Sequence, residues 1–270
     1  MTEEVSYAYA VARDADGSLA EVLAGLQGVS EAPVRLVRAR EGHDVVAAVS
    51  PVPEPDFRED ALRAHLEDLD WLSSVARSHH EVIAALAVRT TVLPLRLATV
   101  YLDDERVRAM LRAHDETFDR RLTELAAQVE WGVKLYVEVA APSGSPAAEA
   151  DEASGLSPGR AYLSRRRAQR HAREDAFQDA ERAAERVRVA ACAHAVDRVQ
   201  HRLQQGELAL RPGENVVNDA YLVPLGRTEE FRAAVTRAAE GFEGVRVEIT
   251  GPWPPYSFAA EVEPLRGAAP

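Results

Sequence analysis

The chain has 270 residues, 46% hydrophobic and 28% charged, with a formal net charge of −12. The length suits two cores, and the acidic balance argues against nucleic acid and against adsorption to anionic lipid, which both require a basic surface. Cys192 is the only cysteine, which excludes an intramolecular disulfide and favours a reducing cytoplasm. The acidic start Met1–Glu4 and the lack of a long apolar run likewise predict a cytoplasmic protein without a membrane span.

The N-terminal part predicts three strands followed by helices. Val5 to Ala12 alternates as a strand does, and residues 34–40 and 44–50 form a predicted hairpin. The prolines at 51, 53 and 55 end that hairpin, and Asp56 is expected to cap the next helix.

Two helices with apolar residues at steps of three and four are predicted next. The first follows Asp56, with a break expected near Asp68, and the second begins at the capping cluster Asp103–Glu105. Between them, residues 89–101 have strand character, but Pro94 makes this an edge or interrupted strand. The two inward faces are Leu62, Leu66, Leu69, Leu72, Ala76, His79, Ile83 and Leu86, and Val107, Leu111, His114, Phe118, Leu122, Leu125 and Val129.

The longest predicted helix covers residues 160–205, which contain neither proline nor glycine. A continuous helix of that length would extend about 70 Å, so it is expected to protrude. Its small apolar residues form a seam resembling a coiled coil. The seam consists of Phe177, Ala180, Ala184, Val187 and Ala191, then Cys192, Val196, Val199 and Leu203.

The elements from Trp131 onwards predict a ferredoxin-like sandwich. A strand at 131–139, the long helix, strands at 208–211 and 215–225, a helix at 229–240 and a strand at 245–250 give the order βαββαβ. The predicted fold class is therefore α+β with two domains. They are an N-terminal α+β domain at 1–130 and a C-terminal ferredoxin-like domain at 131–258, with a mobile loop at 140–159, the protruding coiled-coil-like helix at 160–205 and a flexible tail at 259–270.

The segment 251–258, Gly-Pro-Trp-Pro-Pro-Tyr-Ser-Phe, ends the last strand because proline has no amide donor. Its prolines hold the chain extended at little entropic cost and so present the aromatic rings as preordered anchors. Such anchors either seal the protein's own core or hold a partner. The candidate partner-binding residues are Trp253, Pro254, Pro255, Tyr256 and Phe258.

No catalytic, metal-binding or cofactor-binding arrangement is predicted. His79 and His80 diverge by about 100° on a helix, which does not fit a zinc motif. His79 and His114 both lie on apolar stripes, so a buried contact between them is one interpretation, and a hydrogen-bonded core histidine is the other. Cys192, beside Ala191, is predicted to be a small apolar residue, with a nucleophile as the alternative.

A single arginine, Arg96, and a patch of arginines on the long helix are candidates for binding acidic groups. Arg96 lies between Leu95 and Leu97, and if it is buried it needs an acidic partner such as Glu130 or an acid on a helix. The patch Arg165–Arg173 is typical of a solvated helix start, although it could dock an acidic partner or the protein's own acidic loop at 140–159. A bound phosphate or carboxylate is the alternative for either group.

Three stretches together resemble the gas vesicle protein family that includes GvpF and GvpL. They are Asp70-Trp71-Leu72 with His80-Glu81, Val92-Leu93-Pro94-Leu95-Arg96 with Glu130-Trp131-Gly132-Val133-Lys134, and the octapeptide 251–258. The resemblance runs in order from Tyr7 to Phe258. The loop at 140–159 departs from it and leaves an F-like or L-like assignment open.

The resemblance implies a non-enzymatic accessory or minor structural protein of gas vesicles, the protein-walled flotation organelles of some prokaryotes. It implies binding to the small hydrophobic shell protein and to other accessory proteins during assembly, in the cytoplasm and at the vesicle. Two other hypotheses remain. One is a small-ligand regulatory module that binds an anion through Arg96 or the arginine patch, and the other is an enzyme that uses His79, His80 or His114.

Overall fold

The computed structural model describes residues 3–65, 67–138, 158–203 and 213–259. The chain separates into two compact units, one made of Met1–Glu130 with the segment that begins at Pro252, and the other made of Trp131–Gly251. The predicted α+β class is confirmed, and the structure contains two antiparallel sheets. The segment after Gly251, which the sequence placed in the second domain, instead packs with the first unit.

The sheet of the first unit has the order β2-β3-β1-β4, with β5 also paired to β1. Its strands are β1 (Glu4–Arg13), β2 (Arg35–Arg38), β3 (Val45–Pro53), β4 (Val92–Pro94) and β5 (Val100–Tyr101). The predicted hairpin is confirmed, since β2 pairs antiparallel with β3. β1 is buried along almost its whole length, as expected of a central strand. The strand that contains Pro94 is short and interrupted, as predicted.

Six helices are described in the first unit: α1 (Leu19–Leu23), α2 (Glu54–Phe57), α3 (Glu59–His65), α4 (Leu69–Ala87), α5 (Asp104–Ala113) and α6 (Asp115–Glu124). The expected break at Asp68 is present, because its carboxylate caps α4 by accepting hydrogen bonds from the amides of Asp70 and Trp71. Asp56 was expected to be a cap but lies inside α2. The single helix predicted after Asp103 is interrupted at His114, whose backbone is not helical.

The second unit contains β6 (Gln128–Val137), which starts in the first unit, α7 (Pro158–Cys192), β7 (Asp197–Gln200), β8 (Glu214–Pro224), α8 (Thr228–Ala239) and β9 (Val245–Trp253). The sheet order is β7-β8-β6-β9. α7 packs against α8, and both helices contact β8. One face of the sheet is therefore covered by the two helices.

The long helix ends at Cys192 rather than at the predicted Gln205. Residues Asp197–Gln200 instead form β7, which pairs antiparallel with β8. The second half of the predicted seam is therefore wrong, because Cys192 and Val196 are exposed, whereas Ala180, Val187 and Ala191 are buried. The one-residue shift of the seam after Ala191 marks the end of the helix. The helix ends there although no helix-breaking residue is present, because the residues that follow pair with β8 in the sheet instead.

Several predictions fall on residues outside the described ranges. Most of the predicted loop at 140–159 is among them, and its last residues, Pro158 and Gly159, lie in α7. The predicted strand at 208–211 and nearly all of the predicted tail at 259–270 also lie outside. Along the described part of the chain, no helix is both long and apolar enough to cross a membrane.

Candidate partner-binding surface

The predicted end of the last strand at Gly251-Pro252 is wrong, because β9 continues to Trp253. The C-terminal strap, defined as Trp253–Phe258, follows a position in β9 that requires glycine. Gly251 has φ of 134°, a conformation that residues with a side chain rarely adopt. Pro254 and Pro255 follow, and Tyr256–Phe258 forms a 3₁₀ turn. Within the strap, the Tyr256 amide donates to the Pro254 carbonyl at 2.7 Å, and the Phe258 amide donates to the Pro255 carbonyl at 3.2 Å. The strap is therefore stiff, as its prolines predicted.

Two polar side chains of the first unit hold the strap in place. The Glu130 carboxylate, in a residue that is only 8% exposed, accepts two hydrogen bonds of 2.7 Å from Ser257, one from the amide and one from the hydroxyl. The Arg121 guanidinium donates to the carbonyl of Phe258. Hydrogen bonds to charged groups are stronger than neutral ones. The expected pairing of Glu130 with Arg96 is therefore wrong, since Arg96 is exposed and Glu130 binds Ser257.

His80 on α4 holds the aromatic part of the strap. Its Nδ1 lies 2.8 Å from the Tyr256 hydroxyl. Its ring meets the Trp253 indole edge to face, with centroids 5.4 Å apart and planes at 69°. Burial, together with the negative charge of Glu130, raises the pKa of Tyr256 far above its ordinary value. The tyrosine hydroxyl therefore stays protonated and can donate to His80.

The strap buries most of its own surface. Pro254, Pro255 and Phe258 are buried, and Tyr256 packs half-buried against the core of the first unit. Trp253 differs, because 41% of its surface is exposed. Of the five residues predicted to bind a partner, four thus lie mainly against the protein itself. Partner binding by the strap stays a prediction, and Trp253 is the residue whose surface is available for it.

The neighbouring His79 faces inward from α4. Its Nε2 lies 3.2 Å from the carbonyl of Leu95, so this nitrogen carries the proton, and Nδ1 accepts a 3.0 Å hydrogen bond from the Tyr7 hydroxyl. Burial lowers the pKa of His79 from its ordinary 6.5 to about 4, so the imidazole is neutral at physiological pH. His79 is therefore a hydrogen-bonded core histidine, and the alternative of a contact with His114, which lies against Phe118, is wrong.

The remaining candidates do not converge on a reactive centre. His79 and His80 point to different partners on one helix, and Cys192 is exposed rather than part of a seam. The arginine patch on α7 is exposed at every side chain that the structure describes, and Arg96 lies on the surface of the first unit. Among the described residues, no group of three or more histidine, cysteine or acidic side chains is arranged to hold a metal ion.

Sequence reasoning identified the aromatic members of this surface but missed the residues that hold them. Glu130 and Ser257 are 127 positions apart, and Arg121 and Phe258 are 137 apart. No local pattern connects positions so distant. Two features of the sequence pointed to these residues, namely the acid Glu130 near the start of the β6 strand pattern and the adjacent His79-His80 pair. Neither feature indicates which distant residue it contacts.

Comparison of this fold with solved structures shows which class of protein it belongs to. The fold is similar to the crystal structure of GvpF from Anabaena sp. PCC7120, with a TM-score of 0.63 over 96% of this chain and 100% of that one. It is also similar to GvpF from Microcystis aeruginosa, with a TM-score of 0.60 over 94% and 98%. Sequence identity is 17% in both cases, so these matches show a shared fold.

The chain belongs to the gas vesicle synthesis protein GvpL/GvpF family, whose model matches residues 5–260. It is 45% identical to gas vesicle protein L of Streptomyces sp. (strain CB03234) over 265 residues, 97% of this chain and 95% of the relative. It is 30% identical to gas vesicle protein F of the same strain over 257 residues, 94% and 98% of the two chains. The resemblance drawn from the sequence is thus confirmed, and the chain has a gas vesicle-related role.

Proposed function

We propose that this protein is a non-catalytic adaptor that binds the gas vesicle shell protein, and other accessory proteins, while the vesicle wall is assembled in the cytoplasm. The observation that carries the proposal is the exposed indole of Trp253, which ends β9 and is followed directly by the anchored residues Tyr256 and Ser257. The higher identity to the L protein than to the F protein of one strain supports an L-like role.

The strap suits a binding surface because its conformation is already fixed. Ordering side chains and loops on binding makes the binding free energy less favourable. Because the proline-rich strap is already held by Glu130, Arg121 and His80, this cost is small for it. Tryptophan is enriched among residues that dominate binding energy. A shell subunit exposes apolar area before it is assembled, and covering such area contributes roughly 25 cal/mol per Å² before ordering costs.

The second unit, in this proposal, is a ferredoxin-like domain that carries a protruding helix. The element order β6-α7-β7-β8-α8-β9 and the sheet order β7-β8-β6-β9 support this classification. The sequence assigned the second strand of this pattern to residues 208–211, whereas β7 supplies a strand at that point of the order. In this proposal the domain provides a second surface for binding other proteins and has no catalytic role.

The test is retention of purified full-length chain by freshly solubilised shell protein, compared with Trp253→Ala. We expect the variant to lose at least tenfold in affinity, about 1.4 kcal/mol, while it stays folded, with a melting temperature lowered by only a few degrees because the ring contact with His80 is lost. Leu225→Ala is the matched control, because Leu225 is also an exposed large apolar residue, at 56%, but lies outside the strap. Equal retention by Trp253→Ala and the wild type would remove the strap as the contact. No retention of the wild type would overturn the adaptor proposal itself.

A further inference from the structure

The first half of α7 extends past the core of its unit. From Ala180 onwards the helix buries Ala183, Val187 and Ala191 at regular steps. By contrast, the described side chains between Arg166 and Asp175 are all exposed. At 1.5 Å per residue, the part of α7 before Ala180 is about 33 Å long. Among the described side chains of this arm, residues 158–179, Arg173 makes a salt bridge of 3.3 Å to Glu214 of β8. Such a surface contact adds little stability, and a mostly exposed helix is only marginally stable in water, so a partner packed against the arm would stabilise it.

The charge of α7 changes sign at its middle. Residues 158–173 contain six arginines and no acid, whereas residues 174–185 contain five acids and one arginine. The helix runs from Pro158 to Cys192, so the change between Arg173 and Glu174 lies at its centre. The arginines are Arg160, Arg165, Arg166, Arg167, Arg170 and Arg173, and the acids are Glu174, Asp175, Asp179, Glu181 and Glu185.

Both kinds of charge occur on one exposed side of the helix. Arg167, Arg170, Glu174, Glu181 and Glu185 are separated by steps of three, four and seven, so they lie within a sector of about 60°. All five are exposed, and the centre of the sector lies roughly 120° around the helix from the centre of the side that α7 buries. One face therefore presents a basic half followed by an acidic half.

A cavity of about 220 Å³ borders the acidic half of this face. Glu181 and Glu185 line it together with Arg188, Arg198 and apolar side chains of α7 and β8, and Glu185 accepts hydrogen bonds of 2.9 and 2.5 Å from Arg188. At its wall, Asp219, only 2% exposed, already binds an arginine, because its two carboxylate oxygens accept hydrogen bonds of 2.9 and 3.1 Å from Arg198. The acidic side chains at this cavity thus already bind arginines of the same chain, and an arginine of a second copy would compete with Arg188 for Glu185.

We propose that α7 of one copy of this chain packs antiparallel against α7 of a second copy, through the face that contains Arg167, Arg170, Glu181 and Glu185. A twofold axis close to residues 175 and 176 sets Arg170 of one copy opposite Glu181 of the other, and Arg167 opposite Glu185. Each contact then occurs twice, as in any isologous dimer. The complementary charges lie on one helix and are equally far from its centre, which favours a second copy over any other occupant. A polyanion would satisfy the basic half and be repelled by the acidic half.

The test measures the oligomeric state of the full chain by sedimentation equilibrium at up to about 100 μM. We expect a dimer that weakens as salt rises from about 0.1 M to about 1 M, since the Debye length falls from about 10 Å to about 3 Å. Arg167→Glu/Arg170→Glu and Glu181→Arg/Glu185→Arg are each expected to weaken the dimer at least about tenfold, because like charges then face each other at four places. An equimolar mixture of the two variants restores opposite charges at all four places and is expected to form a heterodimer.

The matched control is Glu229→Arg/Glu240→Arg, which makes the same charge change at exposed positions on and just after α8 and is expected to dimerise like the wild type. Because the mixture must regain the dimer, loss of folding in either variant cannot imitate the expected result. A wild-type chain that stays monomeric in low salt, or two variants that fail to associate with each other, would overturn the proposal. In the first case an acidic surface of another protein would replace the second copy as the occupant of the arm.

Discussion

The core histidine His79 leads to a pH-dependent stability that can be worked out from its contacts. It lies between the Tyr7 hydroxyl and the Leu95 carbonyl and so connects α4 to β1 and to the chain after β4. The perturbation is to protonate it. An imidazolium has two donors and no acceptor, so the hydrogen bond from Tyr7 to Nδ1 would be lost and a charge would be buried.

The magnitude follows from the two pKa values. Burial lowers the pKa of His79 to about 4 in the folded chain, whereas the unfolded chain has the ordinary 6.5. Because the folded value is the lower one, the unfolded state binds more protons between these values, and stability falls as the pH falls. The contribution is present above about pH 6.5 and amounts to about 3 kcal/mol lost between pH 7 and pH 4, with about 2 kcal/mol lost by pH 5.

The assay is urea unfolding of the wild type and of His79→Gln at several pH values in this range. Glutamine can donate to the Leu95 carbonyl and accept from Tyr7, but it does not titrate. The difference between the two unfolding free energies therefore isolates the histidine from all carboxylates that titrate in both chains. We expect this difference to decrease by about 3 kcal/mol as the pH falls from 7 to 4. Parallel profiles of the two proteins would refute the proposed burial of a neutral His79.

Two further substitutions test the first unit. Glu130→Ala leaves the Ser257 amide and hydroxyl without their buried acceptor and is expected to lower the free energy of unfolding by about 1–3 kcal/mol, measured by urea titration. Gly28→Ala places a methyl group 2.1 Å from the Tyr9 hydroxyl and 2.7 Å from the Ser50 hydroxyl. Because these two hydroxyls are buried and hydrogen-bonded to each other, we expect a loss of about 1–3 kcal/mol and a lower melting temperature.

Each of these variants has a control of the same chemistry. Glu81→Ala removes an exposed carboxylate from α4, and Gly226→Ala adds a methyl group where no atom lies within 4 Å, so both are expected to stay within about 0.5 kcal/mol of the wild type. If Glu130→Ala is as stable as Glu81→Ala, the strap is not held by this carboxylate. If Gly28→Ala has the same melting temperature as Gly226→Ala, the hydroxyls of Tyr9 and Ser50 can move aside to accommodate the methyl group.

Local patterns predicted the elements whose causes are local. The β2–β3 hairpin and β6 follow from alternation, and the start of α4 follows from the capping chemistry of Asp68. The end of α7 could not be predicted in the same way, because residues 193–200 contain no helix breaker. β7 exists through pairing with β8 and through the contact of Arg198 with Asp219, 21 positions later.

The same distinction applies to the candidate surface. The stiffness of the strap follows from three prolines in four residues, and the sequence predicted both the stiffness and the aromatic anchors. Which rings are buried depends on what lies underneath, and that is set by His80 and Glu130 far away in the chain. Sequence reasoning therefore found the segment, and only the fold distinguishes exposed Trp253 from buried Phe258.

The path of the chain between the two units has a consequence for the order of folding. The first unit is interrupted after Glu130 and resumes at Pro252, so the entire second unit is an insertion in it. During synthesis, the residues that cover α4 and bind Glu130 and Arg121 leave the ribosome only after the inserted unit. Domains usually fold in N-terminal order, but here the earlier unit can be completed only after the later one has been synthesised. A nascent chain halted near Glu130 would lack Ser257 and the buried prolines and would present the uncovered apolar surface to chaperones or to neighbouring chains.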